Sequence, residues 1–234
     1  VSEVHGAPAD VDLGGLYRSA RQRITGLLTG GSGDLGRRPV PATPSWTVHD
    51  VIAHLRGVVE DALRGNTAGV ATDPWTAAQV ERHRGTTLAD LLAQWAAEAP
   101  LVEAFLSSPD GARAERAVID VHTHEADLRG ALGLPPELPA PYGPWMVARL
   151  AAGVIDACAS SGLPPLRIET VEGDAAGPAT AEVVLRISRH ELHRAVLGRR
   201  SREQVVAYDW RGADPAPYAA NLAVFGPRTE PLDD

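Results

Sequence analysis

The sequence contains no lysine: all 22 of its basic residues are arginine. Without a lysine there is no Schiff-base chemistry and no lysine general base. A phosphate-loop NTPase is excluded as well, because no lysine closes a glycine-rich loop. Cysteine is nearly absent too. Cys158 is the only one, so no intramolecular disulfide can form, and a reducing cytoplasm fits. It lies in the alanine-rich stretch Ala151–Ala159, where a cysteine reads as a small buried hydrophobe rather than a nucleophile. No segment approaches the roughly 18 apolar residues that span a bilayer. The N-terminus lacks the apolar run with basic flanks of a signal peptide. A cationic surplus is missing: the net charge is −8 and the pI about 5.5. The arginines are scattered except at Arg37–Arg38 and Arg199–Arg200–Arg202. Nucleic acid and anionic membranes are therefore not expected partners.

What is present is ordinary for a folded soluble chain, with 44% hydrophobic and 22% charged residues. Alanine, glycine and proline are heavily used, as codon bias in a GC-rich genome produces. The first half reads as helices. Leu13, Leu16, Tyr17, Ala20, Ile24, Leu27 and Leu28 follow the i, i+3, i+4, i+7 pattern of a buried helical face. Gly30–Gly31–Ser32–Gly33 stops that helix, and a loop with Pro39, Pro41 and Pro44 follows. A second helix starts near Thr47, with a stripe of Val48, Val51, Ile52, Leu55, Val59, Ala62 and Leu63, and stops at Gly65. Residues Thr76 to Arg84 suggest a short helix. A third long helix runs from about Thr87 to Ser107, with Pro100 expected to kink or split it. A fourth runs from about Ala112 to Leu132, capped by Gly133. Four amphipathic helices ahead of the proline-dense stretch 134–141 predict a four-helix bundle over residues 1–138.

The second half changes character. Trp145 to Ser160 is helix-like, while Leu166–Val171 and Thr180–Ile187 alternate as half-buried strands do. Ser188–Glu191 and Ser201–Gln204 have the spacing of capping boxes that open short helices. Residues 139–234 therefore predict a small α+β domain, and the whole chain an α+β protein.

The fourth helix carries the chemistry. With about 100° per residue and Ala117 at zero, Val121, Leu128 and Leu132 mark a buried stripe. On the same wheel His124 falls inside that stripe at about 340° and Asp120 on its edge at about 300°. His122, at about 140°, points away from the bundle axis. Asp120 and His124 are spaced i, i+4, so their side chains stack on one face. Two readings are open for such a pair: a hydrogen-bonded Asp–His couple inside the core, or two metal ligands of the kind helix bundles supply from neighbouring helices. The second helix adds His54 at the border of its apolar stripe; His49 sits on another face. Together His54, Asp120 and His124 form a two-histidine, one-carboxylate set suited to Zn²⁺ or another divalent first-row metal, with positions left for a ligand.

Three stretches extend this reading: Trp46-Thr-Val-His-Asp-Val-Ile-Ala-His-Leu55, then Asp120-Val-His-Thr-His-Glu-Ala-Asp-Leu-Arg-Gly-Ala-Leu-Gly-Leu-Pro135, then Leu197-Gly-Arg-Arg-Ser-Arg-Glu-Gln-Val205 with Tyr208–Gly212 and Ala223–Pro227. With them the chain resembles the mycothiol-dependent maleylpyruvate isomerase family, nearly end to end. The resemblance implies a DinB-like helical bundle followed by a small sterol-carrier-like α+β domain. It implies a metal, usually zinc, held by His54, Asp120 and His124. The family's best-known members have Glu where this chain has Asp120, which is shorter by one methylene. Mycothiol, the sugar–inositol thiol of actinobacteria, is the implied cofactor. A metal deprotonates a bound thiol, so the implied activity is addition of a metal-bound thiolate to an electrophilic small molecule. The outcome is isomerisation if the thiol leaves again, or S-transfer if the adduct is released. Arg199, Arg200 and Arg211 are candidates for catalytic contacts with substrate carboxylates, since guanidinium pairs them in bidentate fashion. Two alternatives stand beside this: a non-catalytic metal-binding regulatory or binding protein, and a metallohydrolase of a thiol conjugate acting through metal-bound water.

Overall fold

The computed structural model describes residues 11–29 and 34–234. The glycine-rich stop at residues 30–33 and the N-terminal residues read for a signal peptide lie outside the described residues. The fold is α+β, and the chain divides into two compact units, one covering Asp12–Pro135 and the other including Pro136–Asp234.

The first unit is helical: α1 (Leu13–Thr29), α2 (Val48–Arg64), α3 (Asp73–Arg82), α4 (Leu88–Leu106) and α5 (Glu115–Leu132). α1 packs on α4 and α5, α4 on α2, and α2 on α5, which closes a ring of four. α3 lies outside the ring against α2. Each start has a local cause. Thr47 and Asp50 form a complete capping box ahead of α2, and Thr87 caps α4 through the Asp90 amide. Gly65 and Gly133 end α2 and α5 in the left-handed conformation that glycine adopts without strain. Pro100 neither splits nor ends α4, which is continuous from Leu88 to Leu106. Pro100 is exposed, so the carbonyl it leaves without an intrahelical donor faces the solvent side, where water serves it.

The core of this unit holds Tyr17, Ile24, Ile52, Leu55, Leu91, Trp95, Leu106 and Leu128. Trp95 donates its indole N–H to the Tyr17 hydroxyl at 3.1 Å. Charge is buried with its partners. Glu103 on α4 accepts from Arg18 and Arg21 of α1 at 2.9 and 2.8 Å, and Glu125 on α5 takes the Arg23 fork at 2.6 and 2.7 Å. α5 is buried on every face from Val121 to Leu128. His122, expected to point away from the bundle axis, is buried. Its Nδ1 lies 2.8 Å from the Val118 carbonyl, and burial pushes its pKa down to about 3.

The second unit opens with α6 (Tyr142–Ser160) and continues with β1 (Leu166–Thr170), β2 (Ala175–Ala176), β3 (Val183–Ile187), α7 (Arg189–Val196), α8 (Arg202–Val206), β4 (Asp209–Arg211) and α9 (Ala216–Ala219). The sheet order is β2-β1-β3-β4, with β1 and β3 parallel and both outer pairs antiparallel. The register sets Leu166 beside Val183, Ile168 beside Leu185 and Thr170 beside Ile187. One face thus carries all the buried residues of both strands, and α6 packs on β1, β2 and α7. Cys158 on α6 is buried and forms no disulfide, and burial raises its thiol pKa. No described helix is long and apolar enough to cross a membrane.

The two capping boxes differ. Ser201–Gln204 forms fully, and Gln204 also bonds Leu232 through both ends of its amide. At Ser188 the hydroxyl accepts from the Glu191 amide, but the Glu191 carboxylate turns to Arg200 and Tyr208. A buried guanidinium outcompetes a backbone N–H for a carboxylate, because a charge-assisted pair is about twice as strong.

Asp174 joins β2 to α7 by accepting the Arg189 fork at 2.6 and 2.9 Å. That guanidinium, helped by the Thr170 hydroxyl and opposed by burial, holds the Asp174 carboxyl below its ordinary 3.8. A carboxyl lowered in the folded state contributes stability above its ordinary pKa and loses it as pH falls through the folded one. Asp174→Asn is therefore expected to lower stability at neutral pH by about 1–3 kcal/mol. It should also flatten the loss of stability below about pH 4. Urea-unfolding midpoints of both proteins across that range check this, and parallel acid limbs would refute it.

Candidate metal centre

α2 and α5 bring His54, Asp120 and His124 together, with one ligand atom from each within 4.8 Å of the others. The detail is more telling than the cluster. His54 Nε2 lies 3.4 Å from Asp120 Oδ2, and His124 Nε2 lies 3.6 Å from Asp120 Oδ1. Each oxygen of one carboxylate thus faces the Nε2 of a different histidine. Zinc–nitrogen bonds are about 2.0–2.1 Å long, so two ligands of one ion stand at most about 4 Å apart. Both Nε2–oxygen distances fall inside that limit. The histidines are buried, while the Asp120 side chain keeps 35% of its exposure. The carboxylate is therefore the rim of the site and the imidazoles its floor.

The rest of the site orients the two rings. Trp46 stands just ahead of α2, fixed by backbone bonds from Val40 to its carbonyl and from its own N–H to Thr43. Its indole is 5.3 Å from the His54 ring and 5.9 Å from the His124 ring, centroid to centroid. The two imidazoles meet edge to face at 5.1 Å. Trp46 is thus an aromatic wall across both histidines. The far nitrogens are tied separately. His124 Nδ1 sits 3.0 Å from the Asp127 carboxylate on its own helix, and Asp127 is fully buried. His54 Nδ1 lies 2.8 Å from Gln79 Oε1 on α3. Gln79 in turn donates to Asp61 Oδ2 at 2.8 Å. A hydrogen bond on the other nitrogen fixes the ring and tautomer of a metal-binding imidazole. His54 has one through Gln79, whereas the His124–Asp127 contact lacks hydrogen-bond geometry. The donor set thus fits a divalent metal.

Of these supporting residues, Asp127 was visible in the sequence as an i+3 neighbour of His124. Trp46 lies in a quoted motif without a role attached. Gln79 carried no signal, since it reaches His54 from a helix 25 positions along the chain. Its approach depends on Gly57, where an added Cβ would stand 2.6 Å from the Gln79 Cβ.

The three arginines proposed for substrate all belong to the second unit. Arg200 is buried and holds Glu191 at 2.8 and 2.7 Å and Asp234 at 2.8 Å. Arg199 donates to the Leu197 carbonyl at 2.6 Å, and Arg211 pairs with Asp209 at 3.0 Å on the surface. Arg200 also lines a cavity of about 600 Å³ together with Glu191, Gln204, Tyr208 and Asp234.

A ring of four helices here carries a two-histidine, one-carboxylate cluster that could hold a metal ion. The family model described as the mycothiol maleylpyruvate isomerase N-terminal domain matches residues 17–133, and the chain belongs to that family. Two solved structures are similar to it. One is a mycothiol-dependent maleylpyruvate isomerase, at 16% identity and a TM-score of 0.54, over 80% of this chain and 87% of that one. The other is a histidine-to-alanine mutant of a mycothiol-dependent maleylpyruvate isomerase, at 15% identity and a TM-score of 0.55, over 80% and 88%. At these identities the likeness is one of fold. A search of the curated proteins finds no match.

Gly57→Ala tests how the site is held. Alanine gains about 0.5–1 kcal/mol of helix preference, but overpacking against a side-chain root costs about 1–3 kcal/mol. Net destabilisation of about 1 kcal/mol is expected. Denaturant unfolding measures it, and a stabilised variant would refute the tight α2–α3 contact.

Proposed function

We propose that the protein is a metal- and mycothiol-dependent enzyme acting on an electrophilic small molecule, as a cis–trans isomerase of the maleylpyruvate isomerase type or as a mycothiol S-transferase. The observation that carries the reading is the pair of Nε2 atoms facing the two oxygens of Asp120. His54, Asp120 and His124 would hold the ion, with zinc the first choice for two imidazoles and a carboxylate. When bound, the metal supplies a lowered thiol pKa, so that mycothiol is available as a thiolate at neutral pH.

The chain's own residues do the rest. His54 reaches the site with its Nδ1 2.8 Å from Gln79 Oε1, and His124 with its Nδ1 3.0 Å from the Asp127 carboxylate. Trp46 covers both rings and keeps bulk water off that side. Asp120, partly exposed, leaves the site open along one edge for thiol and substrate. No protein nucleophile is needed, which agrees with the buried, high-pKa thiol of Cys158. Among the arginines, Arg200 is the strongest candidate for a substrate carboxylate, because it borders a cavity. An incoming anion there has to exchange with Asp234. Arg199 and Arg211 are weaker candidates, one tied to its own turn and the other to a surface neighbour. A cytoplasmic setting suits a thiol cofactor and a chain with one cysteine.

Purified protein is expected to contain about one divalent metal per chain by elemental analysis. His54→Ala and His124→Ala should each lose the metal, together with the calorimetric signal for mycothiol. Stoichiometric metal in both variants would refute the ligand assignment. Metal-loaded protein that gives no heat with mycothiol would leave a metal protein of another kind. Product analysis with and without recovery of free thiol separates isomerase from transferase.

A further inference from the structure

α3 has an unusual interior. Of its ten residues only Gln79 is buried, and it is buried completely. A helix that docks through one polar side chain gains little from apolar burial. A buried primary amide left without partners costs about 1–3 kcal/mol. The position is thus explained by what Gln79 bonds. Its Nε2 lies 2.8 Å from Asp61 Oδ2, and its Oε1 lies 2.8 Å from His54 Nδ1.

These contacts fix which end of the Gln79 amide faces which partner. Asp61 also receives Asn66 Nδ2 at 3.0 Å and Arg82 at 3.0 Å. Burial alone would raise its pKa, but the hydrogen bonds from Arg82, Gln79 and Asn66 outweigh that and hold it below the ordinary carboxylate value. An ionised carboxylate only accepts. Gln79 must therefore turn its NH₂ to Asp61 and its carbonyl oxygen to His54. A carbonyl also only accepts, so the proton on His54 must be on Nδ1. In a neutral imidazole the lone pair is then on Nε2, the atom 3.4 Å from Asp120.

We propose that Gln79 is the positioning residue that sets the tautomer of His54, and that α3 docks on α2 to deliver it. The two metal-site histidines are then prepared differently. His124 has a carboxylate from its own helix 3.0 Å from its Nδ1, a charge contact without hydrogen-bond geometry. His54 has a neutral amide from a separate helix and is the ligand whose readiness depends on α3. The consequence for metal affinity rests on the metal-site reading above; the tautomer does not.

The test uses the full chain. Two-bond ¹⁵N–¹H correlation of the histidine rings in metal-free protein reads the tautomer, and chelator competition reads Zn²⁺ affinity. In the wild type His54 is expected as the Nδ1–H form. Gln79→Met keeps the bulk without the acceptor; it should shift His54 towards Nε2–H and weaken Zn²⁺ binding by about 10- to 100-fold. Gln79→Glu in its acid form donates to Asp61 and accepts from His54, so it should keep the wild-type tautomer. An Nε2–H His54 in the wild type or in Gln79→Glu overturns the proposal, as does Gln79→Met with unchanged tautomer and affinity. If Gln79→Met does not fold, the wild-type and Gln79→Glu spectra still decide. If the wild type binds no Zn²⁺, the metal reading fails while the tautomer comparison continues to judge Gln79.

Discussion

An imidazole buried in a helical bundle has two nitrogens and one ring proton, and both nitrogens must be accounted for. Here two such rings lie edge to face at the junction of α2 and α5. Their outer nitrogens are met in two different ways. At His124 the Asp127 carboxylate stands 3.0 Å from Nδ1 as a charge contact without hydrogen-bond geometry. At His54 there is a relay: Gln79, the ionised Asp61 behind it, and Arg82 and Asn66 behind that. The relay ends in fixed charge, so the direction of every hydrogen bond in it is determined.

This constraint explains why α2 is polar where an outer helix of a bundle would be exposed. Arg56, Glu60 and Asp61 are all buried, because α3 covers them. Glu60 is met by Arg56, Arg64, Arg82 at 3.1 Å and His83 at 2.9 Å. Such charges are costly to bury unless fully paired. The pairing also fixes where α3 sits on α2. Gly57 removes the one side chain that would stand in the way. An apolar α3 would dock as firmly, but it would leave His54 without its acceptor.

Much of this was legible in the sequence. The 3.6-residue period of Leu13–Leu28 and Val48–Leu63 marked α1 and α2, and the wheel of α5 put Asp120 and His124 on one inward face. The same wheel gave no sign that His122 is buried, because periodicity along one helix does not reveal what packs on its outer side, and α5 is buried throughout from Val121 to Leu128. The strands β2 and β4, of two and three residues, are too short for alternation to show. They exist only because β1 and β3 offer edges to pair with. Glu191 looked like a capping residue, and only the fold reveals the competing guanidinium of Arg200. Gln79 was out of reach for the same reason: its role lies in a contact between helices, and no spacing within α3 encodes it.

The three arginines of α1 have a consequence in time as well as in energy. Arg18, Arg21 and Arg23 find their buried carboxylates 82 to 102 residues further along the chain. Contacts of such separation are closed late, because the intervening chain must first be ordered. As the protein is synthesised, α1 therefore emerges with these arginines solvated. It stays so until α4, and then α5, can bring Glu103 and Glu125 to it. The residues that complete the histidine cluster, Asp120 and His124, lie on that same last helix. Closing the bundle and assembling the site are thus one event, and a chain that has not buried Glu125 has no site to load.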